Sequence, residues 1–183
     1  MDLYAAKIGR LACLLIAALF CMVPLWIIYN GVPKLIPAPL KGKKEIARAI
    51  IWVIAVVALG VITNIILTKS GLISHSANFS KASSTLTDGG LLVKIICNAL
   101  VIPVLEELLL RGIVAGQLCL WYGPVQAVFL STICFGIIHN NIVQFIYAVI
   151  VGLALGIMYV KNKRLWMCFV AHGLINLIAI LFS

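Results

Sequence analysis

Two adjacent glutamates, Glu106 and Glu107, interrupt an apolar run that reads Val101-Ile-Pro-Val-Leu-Glu-Glu-Leu-Leu-Leu-Arg111. The chain has only three glutamates, and hydrocarbon is a poor solvent for a carboxylate, so the pair marks a polar site. Two further polar sets lie in apolar surroundings, Phe135-Gly-Ile-Ile-His139 and His172-Gly-Leu-Ile-Asn176. Glu107 and Arg111 are four apart, glutamate first, the order that favours an ion pair on one helical face. Glu106 points about 100° away, so that arginine leaves it free for chemistry. His172 and Asn176 share one helical face, as do Phe135 and His139, where the aromatic ring can wall the site beside the imidazole.

A carboxylate can take a proton from water, and an imidazole beside it can hold or relay that proton. A second imidazole with a carboxamide can donate hydrogen bonds to a developing oxyanion. Together these groups suit attack of water on a carbonyl, which is amide hydrolysis. Ser131 and Cys134 precede His139 but match no nucleophile motif. Each part also has a bland reading. A lone intramembrane histidine can be a packing donor, and a lone Glu–Arg pair can set helix register. Their joint occurrence in a chain that is only 10% charged favours function.

Composition says what must position these groups. Of 183 residues 64% are hydrophobic, and the mean hydropathy is +1.19. A soluble domain is about half apolar and about a quarter charged, so lipid must be the solvent here. The length allows one domain, 1–183. The net charge of +9 fits cytoplasmic loops and anionic headgroups rather than nucleic acid. Six scattered cysteines form no C-x-x-C pair and read as small hydrophobes.

Apolar runs predict an all-α, polytopic transmembrane bundle of about six spans, at 11–29, 46–67, 91–120, 124–139, 142–159 and 165–182. Lys7 and Arg10 precede the first run, which is long and lacks a following cleavage site, so it reads as a retained span. Pro24 and Pro103 are expected kinks. The polar stretch 69–90 reads as a loop, with His75 as a solvated histidine. Gly152 and Gly156 form a small-x-x-x-small pattern for close helix packing. The first, third and fifth connections hold most of the basic residues, which puts them in the cytoplasm. Straight spans would leave His139 and His172 at different depths, so span four must be short, tilted or sunk below the surface.

In order, Glu106-Glu107-x-x-x-Arg111, Phe135-x-x-x-His139 and His172-x-x-x-Asn176 resemble the three motifs of the CAAX-protease and bacteriocin-processing (CPBP) family of intramembrane endopeptidases. The resemblance covers about 91–183, the expected protease-like core. It implies that Glu106 and His139 activate the water, that His172 and Asn176 stabilise the oxyanion, and that Glu107 and Arg111 support the site. Glu106, His139 and His172 are also the right types for a zinc set. No H-E-x-x-H helix is present, and the expectation is no metal. The compact chain looks bacterial. The expected setting is a bacterial cell membrane, with membrane lipid around a multi-pass protein and a peptide or membrane protein as substrate. Two other readings stay open: a non-catalytic immunity or partner-binding protein on the same fold, and a small proton-coupled transporter. The absence of an inverted repeat counts against the transporter.

Overall fold

The computed structural model describes residues 9–71, 83–84, 88–139 and 141–182; His75 and most of the polar stretch around it lie outside the described residues. Among the described residues, the long helical segments are, in order, α1 (Arg10–Gly31), α2 (Lys43–Lys69), α3 (residues 91–122), α4 (Pro124–Ile137), α5 (Ile142–Asn162) and α6 (Leu165–Leu181). There is no strand among the described residues. Each expected span corresponds to one of these helices.

Local chemistry sets the boundaries. Gly123, at φ +90°, turns the chain between α3 and α4, and Pro124 then takes the first helical position, where its missing N–H costs nothing. Asn141 caps α5, its side chain accepting the Gln144 backbone N–H. Lys163 ends α5 in the left-handed region at φ 55°.

Three helices, α1, α2 and α5, are long and apolar enough to cross a membrane. With 14 residues α4 is shorter, and α6 has 17. At 1.5 Å per residue these span roughly 21 and 26 Å, less than the ~30 Å hydrocarbon core. The expected fourth span is therefore corrected at its end: α4 stops at Ile137, and His139 lies in the turn that follows.

The α3 segment is not a uniform helix. It runs as α over Leu91–Lys94, π over Ile95–Val101, α over Ile102–Glu107, π over Leu108–Ala115 and α over Gly116–Tyr122. In the first π stretch the Ile102 N–H reaches back five residues to the Cys97 carbonyl. The next donor in that register would be residue 103, reaching the Asn98 carbonyl, but Pro103 has no N–H. Asn176 on α6 supplies the hydrogen instead, Nδ2 to the Asn98 carbonyl at 2.8 Å. One turn earlier on α6, Gly173 lies so close to α3 that a Cβ there would be 2.6 Å from the Ala99 carbonyl oxygen. The expected kink at Pro103 is thus a change of helical register into which α6 fits.

The core is formed where α2, α5, α6 and the later part of α3 meet, around Val56, Ala115, Val151, Leu155, Met158 and Ala171. Lipid tails are as apolar as these side chains, so close packing must hold the helices together. Gly156 illustrates this: a Cβ there would lie 3.3 Å from Val128 on α4. At one end of the bundle the first and fifth connections meet, with the Arg164 guanidinium donating to the Ala38 carbonyl. Gln117 Nε2 donates to the Pro33 carbonyl at 2.7 Å nearby.

Replacing Asn176 by Ala removes the hydrogen that the Asn98 carbonyl receives across the helix interface, which should destabilise the protein by about 1–3 kcal/mol. Adding Pro103→Ala returns a backbone N–H to that register. The double variant should therefore recover much of the loss in thermal unfolding in detergent; purely additive losses would contradict the pairing.

Candidate active site

At the centre of the site is the Glu107 carboxylate on α3, fully buried. Arg111, also fully buried, donates from Nη1 to Glu107 Oε1 at 2.8 Å. His172 on α6 reaches the same oxygen through Nδ1 at 2.9 Å. A carboxylate accepts only, so Nδ1 carries the proton and Nε2 faces away from Glu107. That Nε2 lies 3.7 Å from Glu106 Oε2. One imidazole thus bridges the two neighbouring glutamates, while Glu106 keeps a side-chain exposure of 20%.

The arginine is held from two more directions. Its Nη2 donates to the Gly152 carbonyl on α5 at 3.1 Å. The guanidinium carbon lies 4.6 Å from the centre of the Phe135 ring on α4, within cation–π range. Gly152 makes room for this: a Cβ would sit 3.2 Å from Arg111 Nη2 and 3.0 Å from Phe135.

Phe135 also orders the imidazoles. Its ring centre lies 4.9 Å from that of His139 and 5.7 Å from that of His172, both in edge-on arrangements. His139 Nδ1 is 2.7 Å from the Phe135 carbonyl oxygen, which accepts the Nδ1 proton and leaves the Nε2 lone pair for the site. Asn141 donates to the His139 carbonyl at 3.1 Å while capping α5, fixing the turn that carries His139.

The structure therefore brings together Glu106, Glu107, Arg111, Phe135, His139 and His172 from three helices and the turn after α4. Asn176 lies one turn beyond His172, with one amide hydrogen engaged by Asn98. Sequence reasoning missed the Gly152 carbonyl, the Asn141 brace and the Gly173 approach. Asn141 carried a signal, an N-cap residue before an apolar run. The Gly152 carbonyl carried none, because it accepts through its backbone.

Among the described residues no three His, Cys, Asp or Glu side chains are grouped so as to hold a metal ion.

Residues 88–178 match the family described as type II CAAX prenyl endopeptidase Rce1-like, a segment that contains all seven of these side chains. The chain is 28% identical over 167 residues to the Bacillus subtilis (strain 168) protein named "Putative membrane peptidase YdiL", covering 88% of this chain and 67% of that protein. No solved structure matches the chain significantly.

Arg111→Met leaves the Glu107 carboxylate buried with only His172 beside it, and should cost about 3–5 kcal/mol of stability. Glu107→Gln in that background removes the stranded charge and should restore part of it. Denaturant titration of both variants in mild detergent checks this.

Proposed function

We propose, since this chain belongs to the Rce1-like family of type II CAAX prenyl endopeptidases, that it is an intramembrane peptidase hydrolysing a peptide bond of a membrane-associated peptide or protein. The observation that carries the mechanism is the His172 imidazole, anchored through Nδ1 on Glu107 and presenting Nε2 to Glu106. Glu106, the less enclosed of the two acids, serves as general base. It takes one proton from a water molecule, whose oxygen attacks the scissile carbonyl carbon. The proton then passes from Glu106 to the leaving amine as the C–N bond breaks.

His139, with Nδ1 engaged by a backbone carbonyl, offers the Nε2 lone pair to orient that water. His172 in its protonated form places positive charge beside the developing oxyanion, and the second amide hydrogen of Asn176 serves the same oxygen. Glu107 and Arg111 hold His172 and take no proton themselves. The reading routes no step through a metal. It places the protein in a bacterial cell membrane as a multi-pass protein with lipid around it.

The test compares wild type with Glu106→Gln on a library of membrane-tethered peptides, with and without chelator. Loss of the base should lower cleavage by about 10²- to 10⁴-fold at unchanged folding. Chelator should leave wild-type cleavage intact. Undiminished proteolysis by Glu106→Gln would end the assignment of Glu106 as the base, whereas absence of cleavage by folded wild type across the library would put a non-catalytic role on the same fold in its place.

A further inference from the structure

Away from these residues, a cavity of about 440 Å³ opens at the end of the bundle where the first and fifth connections meet. Its volume lies within the roughly 300–1,000 Å³ of ligand pockets. Three cationic side chains line it, Lys34 from the first connection and Lys163 and Arg164 from the α5–α6 turn. Among the described residues that line it there is no aspartate or glutamate. The cations are placed rather than loose. Lys34 Nζ sits 4.6 Å over the Tyr29 ring and donates to Asn30 Oδ1 at 3.0 Å. Arg164 is tethered to the Ala38 carbonyl, and the left-handed backbone at Lys163 turns the chain between them.

The remaining walls are apolar and aromatic, with Trp26 from α1 and Trp166 and Phe169 from α6. Trp26 and Trp166 are 57% and 45% exposed, so both rings face the surroundings of the bundle as well as the cavity. Tryptophans in such a position sit at headgroup level in a bilayer. A cationic cavity opening onto an aromatic, apolar flank suits a ligand with a phosphate at one end and hydrocarbon at the other. Basic pockets between spans bind anionic lipid headgroups by the same electrostatics.

We propose that this cavity seats an anionic phospholipid, with its phosphodiester between Lys34, Lys163 and Arg164 and an acyl chain along Trp26, Trp166 and Phe169. None of the seven candidate active-site residues lines the cavity, so the proposal does not depend on the peptidase reading.

The full chain in nanodiscs provides the test. In a Trp52→Phe/Trp121→Phe background, fluorescence comes from Trp26 and Trp166, the other two of the four tryptophans. Brominated phosphatidylglycerol should quench it at a mole fraction at least about tenfold lower than brominated phosphatidylcholine, given about tenfold per 1.4 kcal/mol and roughly that order per headgroup-level cation. Lys34→Gln/Lys163→Gln, which leaves the Arg164 tether in place, should erase most of that preference. Added inorganic phosphate should leave it unchanged. Equal quenching by the two lipids, or a preference that survives the double variant, would overturn the proposal. Loss of the preference in phosphate would overturn it in favour of a free anion. Native mass spectrometry of wild type released from mixed vesicles gives a readout independent of the tryptophan substitutions, and retention of both lipids alike would count against the seat.

Discussion

The buried Glu107 carboxylate, shared between Arg111 and His172, is the constraint to which the rest of the structure answers. Both members of the Glu107–Arg111 pair are fully enclosed, and taking two charges out of water is tolerable only when further partners satisfy them. Partners for Glu107 Oε1 and for the guanidinium come from three neighbouring helices: the Gly152 carbonyl from α5, the Phe135 ring from α4 and the His172 imidazole from α6. One ion pair therefore fixes four helices at a single point. The position next to it, Glu106, inherits that order without giving up its own carboxylate to it.

A second constraint sets the height of α6. Pro103 cannot supply the N–H that the π register of α3 calls for, and Asn176 supplies a hydrogen in its place. Gly173, between Asn176 and His172, lets the two helices come within backbone contact. The irregular stretch of α3 and the small residue of α6 thus decide where the His172 ring stands against the two glutamates. π-Helical turns are often found at functional sites, and here the reason is geometric.

Six helices, the ion pair and the grouping of three motifs were legible in the sequence because each follows from a period. Apolar runs of near-spanning length give the helices, and a spacing of four gives Glu107 with Arg111 and Phe135 with His139. What period does not encode was not legible. The early end of α4, the π turns and the Gly152 carbonyl depend on how separate helices meet. The Gly152–Gly156 pattern was visible as close packing, yet its larger consequence is a backbone acceptor for a buried arginine. Asn176 was read for its chemistry, while its visible bond serves the backbone of α3.

The account rests on His172 carrying its proton on Nδ1, held there by Glu107, with Nε2 turned to Glu106. Solid-state ¹⁵N spectroscopy of histidine-labelled protein in bilayers reads this directly, since the chain has only three histidines and single substitutions assign them. The predicted result is a protonated, hydrogen-bonded Nδ1 on His172 whose resonance moves when Glu107 becomes Gln. A His172 spectrum indifferent to that substitution, or a proton carried on Nε2 alone, would contradict it.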